Sequence, residues 1–349
     1  MFEHMNGPVK DSKEMDLIEG EQPTERPTWT KRTFGKMNKG SLRGSIFTLL
    51  STAIGSGCLA LPLALKYMGL ILGVFMLLFT AVIAYFGLIN IALAADHYKT
   101  YHYPHLVAKT LGKKWGFAVD VLMVIYLWAT LVTYQVLLGE FSPSFLRSMN
   151  IHGTEFELRI LPMLAANFFI MLPLGLFREL TNLRFVSMFG AFSLGYVALL
   201  VIIEFPYFVG ANNYSDMTYA KIDMNVFATF SICLYAYACH TNLPQIQGEL
   251  ARTSLQRTYK IARRGITGIF VPYFLLSLFG YLSCLNDTPE LIILRDAPSG
   301  ISNDWAMVIS RVCISLTVVI AVPINLPPIR ECIFTSIFGK DKFPSYWKM

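Results

Sequence analysis

Eight long stretches of this 349-residue chain contain no Asp, Glu, Lys or Arg. Each stretch has at least 18 residues, and a helix needs about 17–25 apolar residues to cross the ~30 Å hydrocarbon layer of a membrane. The stretches therefore predict an all-α, polytopic membrane protein with eight transmembrane helices. They cover residues 44–65, 67–95, 121–139, 160–177, 185–203, 224–248, 265–286 and 312–329.

The composition supports this class and excludes a pair of soluble domains. Hydrophobic residues make up 54% of the chain and charged residues 15%, whereas soluble proteins average about 45–50% and about 25%. The first charge-free stretch follows 43 mostly polar residues and is followed almost at once by a second. A cleaved signal peptide is not placed in this way, so we expect the amino-terminal segment to remain attached.

The positive charges predict a cytosolic amino terminus. In that orientation 23 of the 29 Lys and Arg residues lie on the cytosolic side of the membrane, as the positive-inside rule requires. The net charge of +6 is thus a signal of topology, and it does not indicate nucleic-acid binding. The two N-x-S/T sequons begin at Asn213 and Asn286, and both fall in loops on the opposite side. We therefore predict a glycoprotein modified at these two residues.

The chain divides into three predicted regions. Residues 1–43 mix acids and bases without apolar periodicity, which predicts a disordered cytosolic tail. Residues 44–330 form the transmembrane domain, and residues 331–349 form a second cytosolic tail. The six cysteines contain no C-x-x-C pair, so we expect neither a disulfide framework nor a metal site. No cofactor is expected.

Glycine and proline cluster in the first stretch. Gly55 and Gly57 flank Ser56, and Pro62 follows five residues later. A proline cannot donate a hydrogen bond to the residue four positions before it, and glycine disfavours a helix. These residues predict that the first helix is interrupted near the middle of the membrane.

The sixth stretch shows a similar pattern. Polar residues cluster around His240, and Leu243 and Pro244 follow them, as a Leu-Pro pair also follows the glycines of the first stretch. The second interruption lies five spans after the first, so the two helices cross the membrane in opposite directions. Inverted-topology repeats of secondary transporters have this relation.

The two interruptions suggest a binding chemistry. Unpaired backbone groups persist in a membrane only where a cavity or a ligand satisfies them. Amides at a helix start suit a carboxylate, and freed carbonyls suit an ammonium or a cation, so the pair is complementary to a zwitterion. The alternative is that Gly55 and Gly57 only allow two helices to pack closely.

Three segments match motifs of a known family. They read AIGSGCLALP at residues 53–62, ACHTNLPQI at 238–246, and VPINLPPIR at 322–330. On these segments the chain resembles the amino acid/auxin permease family of secondary transporters, above all its sodium-coupled neutral and proton-coupled branches. The resemblance implies a 5+5 inverted-repeat fold with an amino acid bound between the first and sixth helices. It assigns the substrate carboxylate to Gly55, Ser56 and Gly57, with Thr52 beside them, and the amine to Tyr235, Ala236, Tyr237 and Ala238.

The coupling ion is predicted from two positions at which the chain differs from the sodium-coupled branch. The sodium-coupled branch has an Asn four residues before the first glycine and a Thr just before the last Val-Pro, where this chain has Ser51 and Ala321. Losing one oxygen ligand favours a proton over sodium. His240 is the titratable candidate, although it could equally hold the interruption by donating to a carbonyl. Further intramembrane candidates are Asp120, Glu140 and Glu204.

The chain also differs from the family in length, because the family core has ten spans and the charge-free stretches end with the eighth. We therefore expect a core truncated after helix 8. The predicted function is proton-coupled symport of neutral L-amino acids in a plasma, vacuolar or lysosomal membrane, with only substrate, ion and lipid as partners. The alternative is a non-transporting amino acid sensor or a shortened member without transport activity. An enzyme is disfavoured, because no pair of carboxylates converges in the spans.

Overall fold

The computed structural model describes residues 40–53, 55–173, 183–210, 212–251, 253–298 and 304–338. All regular secondary structure in these ranges is helical, which confirms the predicted all-α class for the described part of the chain. Residues 1–39 and 339–349, which include most of both predicted tails, lie outside it. The disorder of the tails therefore stays a prediction.

The described helices follow one another with short connections. The α-helices are α1 (Leu42–Ala53), α2 (Leu61–Met68), α3 (Leu70–Tyr98), α4 (Tyr103–Leu111), α5 (Lys113–Ser148), α6 (Glu155–Ala166), α7 (Leu183–Val209), α8 (Asn225–Ala236), α9 (Leu243–Gly248), α10 (Leu255–Cys284) and α11 (Trp305–Phe338). Single turns of 3-10 helix lie at Ser56–Ala60, Tyr214–Asp216, His240–Asn242, Leu285–Asp287 and Ile292–Leu294, and a π-helical turn at Asn167–Met171 extends α6.

Several of these helices are suited to a membrane. Four spans are long and apolar enough to cross it, and two shorter helices are also apolar. Large side chains such as Phe75 and Phe86 on α3 are about 60% exposed, and such a face suits lipid better than water. A polytopic membrane protein is thus supported, while the number of eight spans and the inverted repeat remain predictions. The four long spans are Leu70–Tyr98, Lys113–Ser148, Phe189–Val209 and Leu255–Asp287.

The third predicted span is longer than its charge-free stretch. The stretch covers residues 121–139, whereas α5 runs from Lys113 to Ser148 and contains Asp120 and Glu140. A charge-free stretch marks only the part of a helix that lies in hydrocarbon. Backbone hydrogen bonding continues beyond it into the polar layers at both ends.

Helix α10 lies at the centre of the described bundle, against α1, α2, α3 and α7. Two glycines bring it close to the first broken span. A Cβ at Gly280 would lie 2.7 Å from Pro62 Cγ, and one at Gly265 would lie 2.6 Å from Leu49 Cδ2. Helices in lipid associate through such small residues, because lipid tails provide no hydrophobic drive between them. Helix α8 packs against α2 and α3, so the two interrupted spans are neighbours.

Candidate substrate site at two interrupted helices

The first span is interrupted at the predicted glycines. Helix α1 ends at Ala53, Gly55 is extended with φ −141° and ψ −163°, and a 3-10 turn leads into α2. Pro62 lies in the first turn of α2, where its missing N–H costs nothing and its fixed φ favours a helix. The local sequence thus explains both where the first helix stops and where the second starts.

The sixth span is interrupted in the same manner. Helix α8 ends at Ala236, a 3-10 turn follows at His240–Asn242, and α9 begins at Leu243 with Pro244 in its first turn. Both predicted interruptions are therefore present. In each of them, a Leu-Pro pair restarts the helix.

The two interruptions touch each other at Gly57. A Cβ on this glycine would lie 2.7 Å from Tyr235 Cδ1 and 3.2 Å from Ala236 Cα. The space that a side chain would need is therefore already filled by α8. This contact agrees with the close-packing alternative for Gly57, and it brings the two predicted halves of the substrate site together.

Gly55 has different surroundings. A Cβ there would be 4.0 Å from its nearest neighbour, the hydroxyl of Tyr134. Gly55 borders a cavity of about 30 Å³ that is also lined by Tyr134, Thr317 and Ala321. This volume suits a water molecule and is far below the ~300–1,000 Å³ of a ligand pocket. The described conformation is thus closed around the first interruption.

Tyr273 on α10 joins the ends of the two broken helices. Its hydroxyl lies 2.7 Å from the carbonyl oxygen of Ala53 and 3.2 Å from that of Ala236. These two residues end α1 and α8, so their carbonyls lack the amide partner that a continuing helix would supply. The single hydroxyl hydrogen can point to only one oxygen at a time, so one carbonyl keeps a lone pair for another donor.

Tyr237 adds a second buried hydroxyl beside Tyr273. The two ring centroids are 5.5 Å apart, and Tyr237 is fully buried. Its hydroxyl has no hydrogen-bond partner among the described residues. A buried unpaired hydroxyl is costly, so this one is a candidate to bind a water or a ligand atom.

His240 contacts a neighbouring helix. Its Nε2 lies 3.0 Å from the carbonyl oxygen of Ala84 on α3, and a Cβ at Gly87 would lie 2.8 Å from the same nitrogen. The ring thus fits against a glycine and donates to a carbonyl one turn away. This geometry agrees with the predicted alternative that His240 holds the interruption in place, and it leaves proton transfer as a prediction.

The other predicted site residues have less decisive positions. Thr52 Oγ1 donates to the carbonyl of Leu49 within its own helix, at 2.8 Å. Ala238 lies in the turn after α8, and its amide donates to the carbonyl of Tyr235. Ser51 ends up in α1 and Ser56 in the 3-10 turn, but their side chains lie outside the described part of the structure.

Two predicted acidic candidates are engaged in ion pairs. Glu204 on α7 binds Arg295, and both side chains are buried. Glu140 on α5 binds Arg159 on α6, with an N–O distance of 2.5 Å. Each acid is therefore paired with an arginine in this conformation, which is the ordinary role of a buried or half-buried carboxylate.

Sequence reasoning missed Tyr273, Tyr134 and Thr317. Each is one polar residue within a long apolar stretch, and nothing in its sequence neighbourhood distinguishes it from a residue that packs on lipid. Their shared signal is a hydroxyl in a predicted span. Only the position of that span against the interruptions gives the hydroxyl a role.

Long apolar helices with two adjoining interruptions are those of an integral membrane protein. The model of the family described as transmembrane amino acid transporter protein matches residues 38–348, and the chain belongs to this family. The predicted family resemblance is thus confirmed. The family is one of transporters, and membership supports transport over catalysis.

Several relatives are similar to most of the chain at low identity. A protein of Saccharomyces cerevisiae named vacuolar amino acid transporter 6 is 26% identical over 84% of this chain and 66% of its own length. A rat protein provisionally named sodium-coupled neutral amino acid transporter 11 is 25% identical over 86% of this chain and 66% of its own. A Toxoplasma gondii protein provisionally named amino acid transporter AAT1 is 25% identical over 88% and 42%. The chain thus spans 42% to 66% of the length of these relatives.

Proposed function

We propose that this protein carries neutral L-amino acids across a membrane by proton-coupled symport. The observation that carries the proposal is the meeting of the two interrupted helices, at Gly57 and through Tyr273. Membership in the amino acid transporter family supports the substrate class. The alternative of a non-transporting sensor uses the same site without the transport step.

The substrate would bind between the helix ends. The amides of the 3-10 turn after Gly55 lie at a helix start, where the dipole of the following helix favours a carboxylate. Carbonyls at the end of α8, from Tyr235 to Ala238, together with that of Ala53, offer acceptors for an ammonium. The acceptor that Tyr273 leaves unsatisfied is the best placed of these.

The closed cavity requires a conformational change before a substrate binds. A space of about 30 Å³ cannot hold an amino acid, so Tyr235 and Tyr134, the side chains beside the two glycines, have to move. Alternation between open and closed states around a fixed site is the transport cycle of such carriers. We propose that the described conformation is a closed state of that cycle.

The coupling proposal rests on Ser51, Ala321 and His240. Ala321 lines the cavity and provides no side-chain oxygen for a sodium ion. His240 is the titratable group beside the second interruption.

We propose a cytosolic amino terminus and glycans at Asn213 and Asn286, in a plasma membrane or a vacuolar or lysosomal membrane. The yeast relative that is named a vacuolar transporter supports a vacuolar or lysosomal membrane.

Uptake into proteoliposomes tests the function. A panel of radiolabelled L-amino acids is offered at acidic and neutral outside pH, with sodium present or replaced by choline. We expect uptake of neutral amino acids that rises as outside pH falls and does not need sodium. Binding without uptake would identify the non-transporting sensor, and a strict sodium requirement would overturn proton coupling.

A matched variant separates site-dependent uptake from leakage. Gly55→Val is expected to fold, because the extended backbone at Gly55 suits a β-branched residue and the atom nearest to its Cβ position, the Tyr134 hydroxyl, is 4.0 Å away. The added methyl groups enter the cavity and block the approach to the amides that follow Gly55. Uptake should fall to the level of empty liposomes in this variant.

A further inference from the structure

A second cavity lies on the face that carries the loops with Asn213 and Asn286, called here the sequon face. It is an open cavity with a volume of about 470 Å³, lined by α5, α6, α11 and the loop at residues 294–297. This volume is within the ~300–1,000 Å³ of small-molecule sites. The loop behind it places the 3-10 turn Ile292–Leu294 against the turn Ser56–Ala60 of the first interruption. The cavity therefore lies just outside the proposed substrate site.

Most charged side chains around this cavity are neutralised by a contacting partner. Arg159 binds Glu140 at 2.5 Å, and Arg147 binds Glu155. Arg295 binds the buried Glu204 behind the cavity wall. Three arginines and their three glutamates therefore form closed pairs that offer little net charge to a solute.

Arg311 is the positive charge that remains. Its Nε donates to the carbonyl of Ile293 at 2.6 Å, its Nη2 to the carbonyl of Arg295 at 3.3 Å, and its Nη1 to the hydroxyl of Ser144. All three partners are neutral oxygens, so within the described residues no carboxylate contacts this half-buried guanidinium. Three hydrogen bonds also hold it in one orientation, which lowers the entropic cost of binding an anion.

Asp296 is the negative charge that remains. It is exposed on the cavity wall, one residue after Arg295, and it forms no ion pair in the part of the chain that the structure describes. The cavity thus presents one cation and one anion that form no ion pair with each other or with another side chain among the described residues. An amino acid zwitterion carries the complementary pair of charges, whereas a simple anion would satisfy only Arg311.

We propose that this cavity is a second amino acid site, in which Arg311 binds the carboxylate and Asp296 binds the ammonium. The proposal rests on the proposed function for the nature of the zwitterion. Because the loop at residues 294–297 separates the cavity from the first interruption, an amino acid bound here would lie next to the closed central site.

Binding stoichiometry tests the proposal with radiolabelled L-alanine as the probe, measured by equilibrium dialysis on the detergent-solubilised full chain. We expect two alanines per wild-type chain and one in Asp296→Asn, whose affinity at the outer site falls at least about tenfold because a charged hydrogen bond is lost. Glu290→Gln is the matched control. It removes the same charge from an exposed acid of the same loop that does not line the cavity, and it should bind two.

The Gly55→Val variant makes the two proposals separable. If both sites exist, it binds one alanine, and adding Asp296→Asn abolishes that binding. If only the outer site exists, wild type binds one and Asp296→Asn none. If only the central site exists, wild type and Asp296→Asn both bind one and Gly55→Val none, which overturns the present inference.

Half-ligands test the charge pairing itself. Propionate has the carboxylate without the ammonium, and L-alaninamide has the ammonium without the carboxylate. Each should displace outer-site alanine at least about tenfold less well than unlabelled alanine does. If propionate or inorganic phosphate displaces it as well as alanine, the cavity is a plain anion site and the role of Asp296 is refuted.

Discussion

A single methyl group at Gly57 should destabilise the protein, whereas the same methyl at Gly55 should not. In Gly57→Ala the new Cβ lies 2.7 Å from Tyr235 Cδ1 and 3.2 Å from both Tyr235 Cε1 and Ala236 Cα. Overpacking of this kind costs about 1–3 kcal/mol. In Gly55→Ala the nearest atom is 4.0 Å away, and reduced freedom of the unfolded chain contributes about 0.4–1 kcal/mol of stability instead.

Thermal melting of the solubilised variants measures this difference, with and without a saturating amino acid. A ligand that binds the folded state raises the melting temperature by mass action. We expect Gly57→Ala to melt below wild type and its folded fraction to keep a ligand-induced shift. We expect Gly55→Ala to melt at or above wild type with a smaller ligand-induced shift, because its methyl enters the cavity.

A second-site change identifies the atoms responsible. In a Tyr235→Ala background the ring atoms nearest to the new methyl are removed, so the cost of Gly57→Ala should fall by more than half. If Gly57→Ala melts like wild type and has lost its ligand shift, the glycine serves the substrate and not the helix contact. That result would refute the packing argument.

The remaining predictions concern three side chains around the interruptions. Tyr273→Phe should lose about 1–3 kcal/mol of stability, because two buried carbonyls lose their shared donor, and uptake should fall even in protein that melts normally at the assay temperature. Glu204→Gln should cost about 3–5 kcal/mol by leaving the buried Arg295 charge unpaired, and Arg295→Met in the same protein should restore part of it in a melting assay. His240→Gln keeps a donor for the carbonyl on α3, so uptake that loses its pH dependence assigns the proton to His240, whereas an unchanged pH profile assigns the residue a structural role.

Local sequence was sufficient for the helical class of the described residues and for the two interruptions. Whether a segment can span a membrane depends on the length of its apolar stretch, and the charge-free stretches show that length directly. Proline and glycine act on the backbone within a few residues, so Gly55, Pro62 and Pro244 indicate where each helix stops and restarts. The bounds were less accurate where a helix continues into the polar layers, as α5 does beyond Asp120 and Glu140.

Tertiary structure decided what the interruptions touch. Tyr273 reaches a carbonyl 220 residues away in sequence, and Glu204 pairs with an arginine 91 residues away. Neither partner can be identified from spacing along the chain, because the packing of several helices determines which side chains meet. The same holds for Gly57. Its sequence context allowed a substrate contact or a helix contact, and the ring of Tyr235 against it is a property of the folded bundle alone.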